Sequence, residues 1–219
     1  RPIETTGPDL KELNHEFPPA HHAALERLLR RFTGVLSPSA YYHPSRTISH
    51  RIQLTSDIPV RIPPYRTSET KKTIILQQVE DMLAQGIIEP STSPYSSPVV
   101  LVPKKDGKQR FCVDYRQINQ ITVSEPAPMP QIQEALRDLG TASVFTTLDL
   151  ANGYWQVPMH PESKIYTAFN TPDGGHYQFK VMPFGLKNAP ATFQRLMAQE
   201  VLVGHLRKFC LVYLDDIII

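Results

Sequence analysis

Apolar positions along the chain recur at two spacings, and each marks a different kind of element. Between His21 and Phe32, Leu25, Leu28, Leu29 and Phe32 share one helical face, and Gly34 follows as a stop. A second stripe, Ile75, Val79, Met82 and Leu83, predicts a helix opening at Ser68, with Gly86 as the left-handed residue that ends it. Residues 35–66 carry neither period. They are rich in Pro, Ser, Tyr and Arg, hold one strand-like piece, "SHRIQL", and read as an extended connector.

Beyond residue 95 the pattern shortens toward strands. "VVLVPKKDGKQRFCVDYRQIN" is two β-rich runs around a Lys-Asp-Gly turn, and "TAFNTPDGGHYQFKVMP" repeats the design around Asp173-Gly174-Gly175. A short helix is expected near Ile132, Leu136 and Leu139, ended by Gly140. "SVFTTLDL" then alternates, with Val144, Thr146 and Leu148 on one face and Phe145, Thr147 and Asp149 on the other. Asn188 is placed to cap a helix with Pro190 in its first turn and Phe193, Leu196, Met197 and Val201 on its buried face. "KFCLVYLDDIII" closes the chain as a third hairpin. With no internal repeat and no long linker, these elements predict an α+β fold, antiparallel hairpins with helices packed on one side.

The last hairpin raises a chemical question. A turn explains one aspartate, whose side chain bonds nearby backbone, but not the adjacent pair Asp215 and Asp216, which adds like-charge repulsion. Asp149, at the end of another strand, is also an isolated carboxylate among apolar neighbours. If the two strands are neighbours in one sheet, the three converge, and clustered carboxylates are tolerated with cations between them. Magnesium takes such oxygen ligands, and two ions stabilise the entering and leaving oxygens of a phosphoryl displacement. Each aspartate alone has an ordinary reading, a solvated turn or a strand-end cap.

Nearby residues narrow the chemistry. Tyr154 is a flat ring five positions after Asp149, suited to pack under a nucleotide sugar and to exclude a 2′-hydroxyl. Phe184 and Gly185 precede a helix start, where a small residue lets a base or sugar approach the backbone. Lys104, Lys105, Lys108, Arg110 and Arg116 concentrate on and beside the first hairpin, and such basic side chains suit the phosphates of a triphosphate.

Composition changes this picture little. Across 219 residues the formal charge is only +2, so any affinity for a polyanion must be local. Cys112 and Cys210 have no metal-ligand spacing and suggest neither a disulfide framework nor a zinc site, which fits a reducing compartment. No apolar run is long enough to span a membrane, so no membrane partner is expected. Without an initiator Met, and ending in mid-strand, the chain reads as a segment of something longer.

"LDLANGYWQVPM", "TAFNTPDGGHYQFKVMPFGLKNAPATFQRLM" and "VYLDD", in this order and spacing, closely resemble the polymerase motifs of reverse transcriptases, specifically those of gypsy-type LTR retrotransposon Pol polyproteins. The upstream segments "GIIEPSTSPYSSPVVLVPKKDGKQRFCVDYRQIN" and "SHRIQLTSDIPVRIPPYR" look like that family's fingers and its N-terminal extension. The resemblance implies a right-hand polymerase: an extension over 1–47, fingers over 48–125 and 157–187, and palm over 126–156 and 188–219, ending before the thumb.

It also implies an RNA-directed DNA polymerase activity using two magnesium ions, or manganese in their place. Asp149, Asp215 and Asp216 would be the metal ligands, Asp215 the more direct of the adjacent pair, with the backbone of Leu150 facing a metal. Tyr154 would discriminate sugars, Phe184 and Gly185 would contact the incoming nucleotide, and Arg110 with Lys104 or Lys105 would bind the triphosphate. The implied partners are an RNA or DNA primer-template, dNTPs and the rest of a Pol polyprotein: thumb, connection, RNase H and integrase. The implied location is a cytoplasmic virus-like particle or the nucleus. Two other readings are a non-enzymatic remnant that binds nucleic acid or protein, and a metal-dependent nuclease, in which Tyr154 and the basic hairpin would have no use.

Overall fold

In the computed structural model the described residues are 19–32, 45, 47–103, 107, 109–126, 137, 140, 143–150, 152–206, 208–213 and 216–219. Two compact units divide the chain, Arg1–His43 and Pro44–Ile219. In the first, α1 (Pro19–Arg31) is the expected amphipathic helix, with Leu28 and Phe32 exposed among the described residues.

The second unit holds two sheets. Helix α2 (Glu69–Ala84) opens at Ser68, whose hydroxyl accepts from the Lys71 N–H, and buries Ile75, Val79 and Met82 as the stripe predicts. Gly86, at φ +69°, ends it in the left-handed conformation. Strands β1 (Ile88–Pro90), β2 (Ser97–Pro103) and β3 (Gln109–Val113) follow, then α3 (Arg116–Ile121). Strand β4 (Thr147–Asp149) and short 3-10 helices at Gly153–Gln156 and Pro161–Thr167 lead to β5 (Phe169–Asn170) and β6 (His176–Phe179). Helix α4 (Ala189–Leu196), a π-turn (Met197–Val201), β7 (Leu211–Tyr213) and β8 (Asp216–Ile218) complete the order. Among the described residues, no helix is long and apolar enough to cross a membrane.

The larger sheet runs β1-β6-β5-β2-β3. Both expected hairpins, β2–β3 and β5–β6, are antiparallel, and a short parallel pairing of Ser97 with Phe169 joins them. Its core centres on the fully buried Phe169, whose ring meets Phe111, Tyr177 and Phe179 at 5.4–5.9 Å between centroids. The smaller sheet runs β4-β8-β7 and carries the third hairpin.

Several expectations change. Residues 47–62 are stitched into the fold by single bridges, His50 to Met159, Leu54 to Thr122 and Arg61 to Ser96, so this part of the expected connector is integral to the unit. His50 is buried with Nδ1 2.8 Å from the Thr192 hydroxyl. The alternating strand over 143–150 shrinks to Thr147–Asp149. All three residues are exposed, and β4 is an edge strand of its sheet. Asn188 stands at the N-cap position without a side-chain capping bond, since its amide is spent elsewhere, donating to Val123 O and accepting from Glu125 N–H. Val201 is 53% exposed: the wider π-turn after Leu196 rotates it off the face that buries Phe193, Leu196 and Met197. The helix expected near Ile132 to Leu139 lies outside the described residues.

Candidate active site

Strand β8 lies between β4 and β7, and the register sets the carboxylates. Asp149 is the direct partner of Asp216, and Tyr213 is its partner on the other side. Val212 and Ile217 are buried, so by strand alternation Asp149, Asp216 and Tyr213 share the opposite, open face. Directly opposed residues bring their Cβ atoms within about 5 Å, a spacing that disfavours two like charges. Two carboxylates held this way form an oxygen-rich donor set that fits a hard divalent cation. Among the described residues no group of three or more His, Cys, Asp or Glu is arranged to hold a metal ion. Asp215, the third expected ligand, lies outside the described residues.

Asp149 also belongs to a cavity of about 470 Å³ between α2, β3, the end of β4 and the turn at Pro183–Phe184. Its walls include Arg110, Asp149, Leu150, Asn152, Trp155 and Phe184. The structure thus gathers four residues singled out from sequence, Arg110, Asp149, Leu150 and Phe184, from segments up to 74 positions apart. Cys112 shares the wall, and burial pushes its thiol up from the usual value, with Arg110 opposing. Lys104, Lys105 and Lys108 lie outside the described residues.

Tyr154 sits behind this wall. It is 7% exposed, stacked on Phe184 with centroids 4.9 Å apart at 21° and tilted against Phe193 at 5.3 Å. Two backbone features make room for this. Asn152 adopts φ +51°, and Gly153 lies so close to Phe193 that a Cβ there would meet its Cζ at 2.8 Å. Phe184 therefore presents a ring to the cavity with Tyr154 directly beneath it.

Gly185, next to Phe184, has φ +92°, a conformation glycine adopts without penalty. Its carbonyl accepts from Asn119 Nδ2 at 2.8 Å, and Asn119 Oδ1 accepts from the Lys187 N–H at 2.8 Å. Arg116, counted among the basic residues of the first hairpin, is already engaged. Its Nε and Nη2 donate to Asp114 at 2.8 and 2.6 Å, and the Tyr65 hydroxyl adds a bond at 2.8 Å. The Arg116 bonds first, and Tyr65 with them, hold the Asp114 carboxyl well below the usual carboxylate range.

The family model described as "Reverse transcriptase (RNA-dependent DNA polymerase)" matches residues 102–219, more than half of the chain and the stretch that holds Arg110, Asp149, Leu150, Tyr154, Phe184, Gly185 and Asp216. The chain belongs to the reverse transcriptase family. Relatives of this reverse transcriptase segment include the Pol polyprotein of transposon 297 of Drosophila melanogaster, 46% identical over 180 residues, which cover 80% of the chain and 17% of the polyprotein. The Pol polyprotein of transposon gypsy, from the same organism, is 38% identical over 178 residues, covering 78% of the chain and 17% of the polyprotein. The chain thus spans about a sixth of the length of these relatives. Among solved structures, a foamy viral protease-reverse transcriptase in complex with an RNA/DNA hybrid superposes with a TM-score of 0.74 at 27% identity. That match covers 93% of the chain and 27% of the other. The mixed fold is accordingly a fingers-and-palm arrangement of the reverse transcriptase kind.

Sequence reasoning missed Asn119, Asn152 and Trp155. The Asn-Gly dipeptide at 152–153 is a turn signal that could have marked a strained position. Nothing local marks Asn119, because its partners lie 66 and 68 positions away.

Proposed function

We propose that the chain forms the fingers and palm of an RNA-directed DNA polymerase, which joins a deoxynucleoside triphosphate to a primer 3′-hydroxyl on an RNA or DNA template. One observation carries this reading: Asp149 is both the cross-strand partner of Asp216 and a wall residue of the cavity that holds Arg110 and Phe184. A carboxylate pair alone suits any hydrolase or transferase of phosphate esters. Joined to a basic side chain and a flat apolar ring in one recess, it suits a nucleoside triphosphate.

Asp149 and Asp216, with Asp215 next to Asp216 in the chain and the Leu150 backbone next to Asp149, would hold two magnesium ions, or manganese in their place. Bound there, the ions supply Lewis-acid stabilisation of the entering and leaving oxygens. Arg110 directs its fork of donors at the triphosphate, with Lys104 or Lys105 sharing the charge. This positions the α-phosphate and offsets negative charge as it develops on the departing pyrophosphate. Phe184 and Gly185 border the sugar, and Tyr154 supports the ring of Phe184. Base pairing reads the template, so the protein need contact only backbone and duplex shape.

Fingers over 48–125 and 157–187, palm over 126–156 and 188–219, and an extension over 1–47 would place the cavity at the fingers–palm junction. The working partners would be a primer-template and the thumb, connection, RNase H and integrase of a Pol polyprotein, in a cytoplasmic particle or the nucleus. The RNA/DNA hybrid in the foamy viral neighbour supports the choice of template.

The test is primer extension by the polypeptide with its natural flanking sequence, on RNA and DNA templates. Magnesium-dependent extension with dNTPs is expected. Salt-sensitive nucleic-acid binding without incorporation, or strand cleavage without dNTP, would contradict the reading.

A further inference from the structure

Phe184 is held from a distance. The turn that carries it runs through Gly185, at φ +92°, into α4, and a single side chain grips this turn from α3. Asn119 Nδ2 donates to Gly185 O and Asn119 Oδ1 accepts from Lys187 N–H, each at 2.8 Å. A carboxamide presents a donor and an acceptor side by side for two such backbone groups. Two further bonds brace the same joint: Lys187 Nζ donates to Thr122 O at 2.8 Å, and Asn188 Nδ2 to Val123 O at 2.8 Å. Gly185 in turn lies against β3 and the start of α3, since a Cβ there would stand 3.5 Å from Val113 O and 3.6 Å from Tyr115 Cδ2.

We propose that Asn119 is a positioning residue for sugar recognition, fixing the Gly185 turn so that the Phe184 ring stays stacked on Tyr154 at the nucleotide cavity. The inference rests on the polymerase reading and deepens it. A ring–ring stack at 4.9 Å leaves little slack, and Phe184, not the buried Tyr154, faces the cavity. A turn freed from Asn119 lets Phe184 tilt, and two consequences follow. Fewer molecules present the competent pocket, so apparent dNTP affinity falls in proportion. The wall that excludes a 2′-hydroxyl also softens, so ribonucleotides gain relative to deoxynucleotides.

The experiment compares wild type, Asn119→Ala and Gln117→Ala in the polypeptide with its natural flanking sequence, measuring kcat and KM for dTTP and UTP opposite template adenine. Gln117 is exposed on the same short helix and makes none of the four hydrogen bonds named above, so its variant serves as the control. Asn119→Ala is expected to raise KM for dTTP about tenfold, the size of losing one to two well-made hydrogen bonds. Its kcat should stay within about twofold of wild type, and its preference for dTTP over UTP should fall. Gln117→Ala should match wild type. A variant that is merely less folded loses active enzyme, which lowers kcat and leaves KM and the sugar preference unchanged; that result overturns the inference. Unchanged constants throughout overturn it as well. If wild type incorporates neither nucleotide, the polymerase reading fails and takes the inference with it.

Discussion

Asp149 and Asp216 stand directly opposite each other on the antiparallel strands β4 and β8, both exposed, with the apolar Val212 and Ile217 buried beneath the sheet. A fold selected for stability alone would not place two carboxylates at a cross-strand pair. Removing one charge in a metal-free buffer should therefore stabilise the protein. Asp149→Asn is expected to gain up to about 1 kcal/mol, read as a rise of about 2 to 4 °C in thermal midpoint. Saturating magnesium should raise the wild-type midpoint and not that of the variant. A lower midpoint for Asp149→Asn in EDTA would mean that the pair is not repulsive.

Gly153 tests the packing beneath the cavity. A methyl group there meets the buried Phe193 ring at 2.8 Å, and Phe193 lies against Tyr154. Gly153→Ala should cost about 1 to 3 kcal/mol through overpacking, seen as a lower midpoint in chemical or thermal unfolding. A variant as stable as wild type would show that the ring has room to move.

His50 gives the fold a pH dependence. Burial first, and the nearby Arg195 charge second, lower its pKa from 6.5 to about 4. Between those values the unfolded chain holds a proton that the folded chain does not, so acid favours unfolding. The stabilisation is complete above pH 6.5 and is lost as pH falls toward 4, by at most about 3 kcal/mol. Equilibrium unfolding of wild type and His50→Leu across this window should show a slope attributable to His50 in wild type and its absence in the variant. Equal slopes would remove His50 as the cause.

Much of the fold is legible in the sequence because its signals are local. The Ile75, Val79 and Met82 stripe, the Asp173-Gly174-Gly175 turn and the apolar arms around Asp215-Asp216 act within a few residues of themselves. The exceptions share one cause, a distant partner. Asn188 reads as a helix cap, but its amide is taken by Val123 and Glu125, more than sixty positions upstream. Arg116 reads as a free cation until Asp114 and Tyr65 close around it. Val201 fits the helical stripe only if the helix keeps its period, and a π-turn breaks it. At the site, Asp149 was marked by its polarity among apolar neighbours. That Tyr154 lies under Phe184 depends on tertiary packing no spacing reveals.

If Asp149 and Asp216 form a metal-holding pair for nucleotide addition, single-nucleotide incorporation on a primed RNA template depends on both carboxylates. With magnesium, the wild-type polypeptide in its natural sequence should extend the primer by one deoxynucleotide. Asp149→Asn and Asp216→Asn, at equal folded concentration, should each be slower by at least about tenfold, since losing a ligand costs no less than losing a group that merely orients one. Incorporation by either variant at the wild-type rate would contradict the account.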